Sequence, residues 1–186
     1  VVCIIKNHGV FAFDTESPDL AYMTSPMILL QMSCGKGKTW VLPFYKHDPT
    51  VEHGFKLKPT WVNGKRREID EKLRELFEDE AVAKCAHNIK YDMNVMRRHC
   101  NIRTKGWLWD TQIMHHLLDV TPPHGLKELA DGEFFVGNYE GPVRDIVGHG
   151  RKLIKTYDNV PDEILWPYGA TAAELTYRLL DVYYPE

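Results

Sequence analysis

The chain has 186 residues, 44% of them hydrophobic and 26% charged, enough apolar content to build the core of one globular domain. Its net charge of −3 excludes the overall basic field that marks many nucleic-acid binders, while leaving room for basic patches offset by clustered acids. No stretch approaches the ~18 apolar residues that cross a membrane, no basic-then-apolar leader opens the chain, and Cys3, Cys34, Cys85 and Cys100 lack metal or disulfide spacing, as expected of reduced thiols in a cytosolic protein.

The first legible element is an apolar, strand-prone run from Gly9 to Phe13 that ends in Asp14-Thr15-Glu16. Strand side chains alternate, so Asp14 and Glu16 point to one face. Two carboxylates at the end of a buried strand repel each other unless a cation sits between them, and hard oxygen donors of this kind suit Mg²⁺ or Mn²⁺. The same residues also fit a plain strand end, because Ser17-Pro18-Asp19 is turn chemistry. The choice rests on partner carboxylates further along.

Ile28 to Ser33 and Thr39 to Phe44 form two more strands, joined through Gly35-Lys36-Gly37 as a hairpin. Gly37-Lys38-Thr39 imitates the end of a phosphate-binding loop. The glycine that motif needs falls at Met32, however, and Trp40-Val41-Leu42 continues as strand instead of helix. A polar connection from His47 to Asn63 leads to a helix over Arg66 to Glu80, where Ile69, Leu73, Leu76 and Phe77 recur at helical spacing. Ala81 to Ala86 is a short buried strand. Asn88 to Cys100 is a helix with Val95 and Met96 on its apolar side, Trp107 to Trp109 a brief strand, and Asp110 to Leu118 a further helix. Pro122-Pro123 breaks the chain before a short helix over Gly125 to Ala130, and Asp131 to Pro161 carries no clear period. The last helix runs from about Asp162 to Tyr184, with a break expected near Pro167. Strands first, then strands alternating with helices, predict an α/β fold with a mixed sheet.

Two later segments add chemistry. Asn88-Ile89-Lys90-Tyr91-Asp92 follows a strand and opens a helix. At i, i+4 spacing Asn88 and Asp92 share a face near the helix N-terminus, where free N–H groups favour anions such as phosphate. An ordinary N-cap and a first-turn acid are the plain alternative. In the final helix Tyr168 shares a face with position 172, where an acid would complete the set and Ala172 stands instead.

Taken in order, Asp14-x-Glu16, Asn88-x-x-Tyr91-Asp92 and Tyr168 with position 172 resemble the three motifs of the DEDD 3′–5′ exonucleases, in the variety with a tyrosine in the third motif. Trp109-Asp110-Thr111-Gln112 and the segment from His124 to Ala130 are similar to the stretches between the second and third motifs in one branch of that family. That branch is the proofreading exonuclease domain of bacterial and phage family A DNA polymerases. The resemblance covers nearly the whole chain. It implies a ribonuclease-H-like fold, a five-stranded mixed β-sheet flanked by helices, as a single domain over residues 1–186 excised from a longer polymerase chain. It also implies hydrolysis of phosphodiester bonds at the 3′ end of single-stranded DNA, in the cytoplasm of a bacterium or phage-infected host, with no membrane partner.

In the intact family two divalent ions, Mg²⁺ or Mn²⁺, lie ~3.5–4 Å apart and clamp the scissile phosphate. The resemblance assigns Asp14 to both ions, Glu16 to the first, and Asp92 to the second, largely through water. It gives Tyr168, with Glu16, the task of aiming the attacking water. Nucleic-acid contacts fall on Thr15, Leu20, Asn88 and Tyr91, with Leu20 as an apolar wedge against the terminal base. None of these reads base edges, so hydrolysis is expected to be largely independent of sequence.

One position departs from the pattern. The family's remaining third-motif carboxylate would stand at 172. Ala172 is a minimal truncation that keeps helix propensity, and with every other motif residue intact this favours an engineered replacement over natural decay. Glu174, two residues on, faces elsewhere on a helix. With one carboxylate gone, ion occupancy is expected to fall, and the chain to bind single-stranded DNA while cleaving it poorly. One rival is a Tyr-type 3′–5′ exoribonuclease, which contacts to the 2′-hydroxyl would distinguish. Another is a non-catalytic nucleic-acid-binding or scaffold domain in which Ala172 is natural. Lys65-Arg66-Arg67, Arg97-Arg98 and Arg151-Lys152 are candidate backbone contacts, although such clusters also serve as solvated faces. His115-His116 reads as a helix pair with one ring buried, and His124 as structural.

Overall fold

Five strands form the central sheet in a computed structural model, which describes residues 1–35, 37–51, 57–61, 65–121, 123–149, 152–153 and 155–184. In chain order the elements begin with α1 (Val2–His8), β1 (Val10–Glu16), β2 (Leu29–Ser33), β3 (Thr39–Pro43), β4 (Tyr45–His47), β5 (Leu57–Pro59), α2 (Lys65–Phe77) and β6 (Ala83–Ala86). They continue with α3 (Ile89–Cys100), β7 (Leu108–Asp110), α4 (Thr111–Leu118), α5 (Leu126–Phe134), α6 (Gly141–Val147), β8 (Gly148–His149), β9 (Lys152–Leu153), a 3₁₀ turn over Tyr157–Asn159, and α7 (Asp162–Tyr183). The sheet order is β3-β2-β1-β6-β7. β1 to β3 pair antiparallel, while β6 and β7 run parallel to β1. This is the α/β architecture with a five-stranded mixed sheet that the element order predicts.

β1 sorts its side chains by parity, and the sorting builds both layers. Phe11 and Phe13 face α2 and α3, where they join Leu73, Leu76, Phe77, Val95 and Met96 in the larger core. The Phe77 ring meets Phe11 and Phe13 edge-on at 5.2 and 5.0 Å. Each such ring, fully buried, contributes about 1.5–3 kcal/mol. Ala12 faces the other way and packs with Tyr177 and Leu180 of α7. Small buried residues on α7, namely Gly169, Ala172 and Ala173, let that helix lie close on the sheet. α7 runs along β2: Gly169 abuts Gln31, Ser33 Oγ donates to Glu174 Oε2 at 2.7 Å, and Tyr177 abuts Gly35. Since Gln31 pairs in register with Asp14, and Ser33 with Ala12, the helix turn containing position 172 lies level with the end of β1.

Several expectations are corrected. α7 does not break at Pro167 but continues through it. The proline stands in the second helical turn and forfeits only the N–H bond to Glu163, and both residues lie on the exposed side, where water can take the freed carbonyl. The N-terminal α1 went unpredicted, since only Ile5 of its seven residues is buried and no amphipathic period shows. It is tied down by Lys6, which pairs with Asp79 at 2.9 Å and Glu75 at 3.4 Å. The connection from His47 to Asn63 holds the last residue of β4 and all of β5 among its described residues, and 52–56 and 62–64 lie outside them. The stretch without a period, Asp131 to Pro161, contains the end of α5, all of α6 and a two-residue β8–β9 pair.

Candidate active site

The end of β1 supplies two of the three predicted carboxylates. Asp14 and Glu16 share the α7 face and border one cavity of about 350 Å³ together with Tyr168 and Ala172. Thr15 points to the opposite face, where its Oγ1 donates to Asp92 Oδ1 at 2.6 Å. That bond fastens the first turn of α3 to the end of β1 and brings the third carboxylate to the strand end. Asp92 is only 2% exposed and Glu16 8%.

The entry into α3 differs from the predicted helix-face pairing. Asn88 is the N-cap, in the left-handed region at φ 62°, a conformation asparagine tolerates better than most residues. It is exposed while Asp92 is buried, so the two do not share a helical face; the helix begins only at Ile89. No side chain of Asn88 caps α3. The N–H groups of Asn88 and Ile89 instead donate to the Asp110 carboxylate at 3.1 and 3.0 Å. Asp110 also accepts from Gln112 and Ile113 at the start of α4, so one carboxylate satisfies two helix N-termini.

The three carboxyl groups stand together without a compensating cation. Burial pushes the Asp14 carboxyl up to about 7. Glu16 is held well above the ordinary carboxylate range by burial first, then by Asp14, Asp92 and Glu140. Asp92 is raised by burial and by Asp14, against the stabilising Thr15 hydrogen bond. Among the described residues no lysine or arginine forms an ion pair with any of the three. Nor do three His, Cys, Asp or Glu side chains stand there at the spacing of a preassembled metal site. An acidic cluster whose charge the protein leaves unpaired, at oxygen donors only, fits a hard divalent cation. Tyr168 stacks on Tyr139 at 6.0 Å and lies beside Tyr157, and its hydroxyl is kept protonated by burial and by Glu16.

Leu20, 83% exposed, lies with Tyr91, Thr15 and Glu16 around an adjoining cavity of about 170 Å³. Tyr91 donates its hydroxyl to the Asp19 carbonyl at 3.3 Å. Asn88 does not border either cavity. Among the further residues that border the carboxylate cavity, His87, Lys127, Glu128, Tyr139, Glu140 and Arg144 were not anticipated as site residues. Arg144 Nε lies 3.3 Å from Glu140 Oε2. Lys127 and Glu128 fall within the His124 to Ala130 segment, which was the available signal for them; Tyr139, Glu140 and Arg144 lie in the stretch without a period and had none.

Three residues of the predicted basic clusters are engaged elsewhere. Arg66 binds Asp70 and the His99 carbonyl, Arg67 pairs with Glu71, and Arg98 donates to the Met23 carbonyl. Arg66, Arg67 and Arg98 border a separate groove. Arg151 and the side chain of Lys152 lie outside the described residues. Glu174 faces away from the cavity, as expected, and accepts from Ser33 and Thr39. Neither His115 nor His116 is buried; both rings meet His124, at 2.8 and 3.2 Å between nitrogens, because α4 ends beside the His124 loop.

A mixed sheet in the order β3-β2-β1-β6-β7, with acids at the end of its central strand and helices on both faces, is the ribonuclease-H-like fold of DEDD exonucleases. The model of the 3′–5′ exonuclease family matches residues 2–182, and the chain belongs to that family. It is 29% identical over 191 residues to DNA polymerase I of Rhizobium leguminosarum, a match covering 92% of this chain and 17% of that protein. The chain thus spans less than a fifth of the length of this relative. In shape it is similar to Trypanosoma brucei RNase D in its GMP complex, with a TM-score of 0.70 at 14% identity over 100% of this chain and 53% of that one. It is also similar to Brucella melitensis NrnC with bound Mg²⁺, with a TM-score of 0.62 at 21% identity over 95% of this chain and 72% of that one. Among the described residues no helix is long and apolar enough to cross a membrane.

Proposed function

We propose that the chain is a proofreading exonuclease domain of a longer cytoplasmic polymerase, acting on the 3′ end of single-stranded DNA and impaired by Ala172. The observation that carries this is the meeting of Asp14, Glu16, Tyr168 and Ala172 at one cavity, with Asp92 tied to the same strand end through Thr15. The kinship with whole polymerases supports DNA as the substrate and a polymerase domain as the neighbour in the parent chain.

Asp14, Glu16 and Asp92 would hold Mg²⁺ or Mn²⁺, which when bound supplies the positive charge that neutralises a phosphate and acidifies a water. The Tyr168 hydroxyl, held protonated, and the Glu16 carboxylate orient the attacking water. Water oxygen bonds to phosphorus, the P–O3′ bond breaks, and the shortened strand leaves with a protonated 3′-hydroxyl beside a 5′-mononucleotide. Leu20, Thr15 and Tyr91 seat the terminal nucleotide in the adjoining cavity, and Asn88 meets the strand outside it. Lys127 and Arg144 add positive charge to a wall that is otherwise acidic, where phosphates must pass.

The test is the Ala172→Asp variant, assayed for mononucleotide release from the 3′ end of labelled single-stranded DNA with Mg²⁺ or Mn²⁺. A return of ~4 kcal/mol of transition-state stabilisation is about a thousandfold in rate. If the folded, DNA-binding variant releases no more than the parent, the proposal fails. The RNase D and NrnC likenesses make an RNA of the same sequence the proper competitor, and faster release from RNA would move the assignment to an exoribonuclease.

A further inference from the structure

β2 carries one large polar side chain that the fold leaves unexplained. Gln31 sits between Leu30 and Met32, wholly buried, and neither its amide nitrogen nor its amide oxygen has a hydrogen-bond partner among the described residues. Leaving such a group unpaired weakens the fold. The next polar residue on the same face fares differently: Ser33 donates to Glu174 of α7, accepts from the Gly35 N–H at 3.0 Å, and has Thr39 Oγ1 beside it at 2.8 Å. α7 therefore answers the polar residue of β2 at one level and leaves it unanswered one level nearer the cavity.

The amide of Gln31 abuts α7 at Gly169, where an added Cβ would stand 2.0 Å from Nε2. Glycine is what admits it. Residues three apart on a helix have Cβ atoms about 5–6 Å from each other on one face. An aspartate oxygen reaches roughly 2.4 Å beyond its Cβ, so a carboxylate at 172 can come within hydrogen-bond range of that amide. Position 172 is buried, and it borders the cavity with Asp14, the register partner of Gln31.

We propose that Gln31 is a positioning residue of the exonuclease site: its buried amide is the hydrogen-bond partner of a carboxylate at position 172, and Ala172 has orphaned it. An amide donating to one carboxyl oxygen locks the rotamer and leaves the other oxygen free toward Asp14 and Glu16. Partners of this kind set ligand geometry and affinity in metal sites generally. The inference rests on the proposed function only in treating 172 as a carboxylate position, and the pairing itself needs neither metal nor nucleic acid.

The experiment compares the parent with Ala172→Asp by NMR of the Gln31 side-chain amide, assigned by its loss in Gln31→Met, in metal-free and DNA-free buffer. The Gln31 NH₂ signals should shift and exchange more slowly with solvent in Ala172→Asp. Ala172→Asn, neutral and of the same shape, should do the same and serves if the acid disfavours folding. Unchanged Gln31 signals in both folded variants overturn the proposal. A second arm measures Mn²⁺ affinity. Gln31→Met should weaken it about 10–100-fold when combined with Ala172→Asp, and should change it little in the parent. An equal loss in both backgrounds makes Gln31 a packing residue and also overturns the proposal. If no variant binds Mn²⁺ while the amide responds to Ala172→Asp, the pairing stands and the metal assignment falls.

Discussion

The two ends of the parallel β1–β6 pair bury charge in opposite ways. Near the N-terminal end Lys84 is fully buried, yet its ammonium donates to the carbonyls of Asp79 at 2.5 Å and Lys105 at 2.9 Å, with the Asp79 carboxylate nearby. Burial still lowers its pKa to about 8, against the pull of Asp79. At the C-terminal end Asp14, Glu16 and Asp92 crowd together with one hydroxyl donor, Thr15, and no basic partner among the described residues. The protein compensates the buried cation from its own backbone and leaves the buried anions to something outside itself. Charge retained at a cost to folding is the mark of a functional site rather than a structural one.

That contrast predicts substitutions of opposite sign. Lys84→Met should destabilise by roughly 1–3 kcal/mol, because two buried carbonyls lose their donor; urea unfolding in chelator measures it. Asp14→Asn, an isosteric loss of charge, should stabilise the metal-free protein by about 0.5–2 kcal/mol under the same conditions, as relief of active-site strain commonly does. If both substitutions destabilise alike, the asymmetry between the two ends is not real.

A smaller effect sharpens the acidic end. The folded-state pKa of Asp14, about 7, lies above the ordinary 3.8. Between those values the folded state keeps a proton that the unfolded chain has released. The contribution of this group is therefore fully present below 3.8 and is lost as pH rises through about 7. Metal-free protein should unfold at lower urea near pH 8 than near pH 5, and Asp14→Asn should flatten that slope. A parent whose midpoint rises across that interval would contradict the electrostatics assigned to this cluster.

Much of this was legible in the sequence because it is written in local periods. The run ending at Asp14 and Glu16 shows its strand and its shared face by alternation alone, and the apolar spacing of Leu73, Leu76 and Phe77 marks α2. Other features depend on what the chain meets in space. Tyr139, Glu140 and Arg144 come from a stretch with no period and reach the cavity only because α6 folds back beside α7. Asp110 sits in a segment the resemblance singled out, but its service to two helix starts needs β6 and β7 side by side. The local rule for proline predicts a break at Pro167, but its placement in the exposed second turn makes the lost bond cheap. The i, i+4 spacing of Asn88 and Asp92 predicts a shared face only within a helix, and Asn88 is the left-handed residue before it.

Mn²⁺ binding tests the central claim most directly, that the acids ending β1 are built around a divalent cation. Free Mn²⁺ can be followed by electron paramagnetic resonance during titration of the parent, Asp14→Ala and Ala172→Asp. The account predicts measurable binding by the parent, none by Asp14→Ala, and tighter binding by Ala172→Asp. Equal binding by the parent and Asp14→Ala, lost instead when His115, His116 and His124 are replaced, would contradict it.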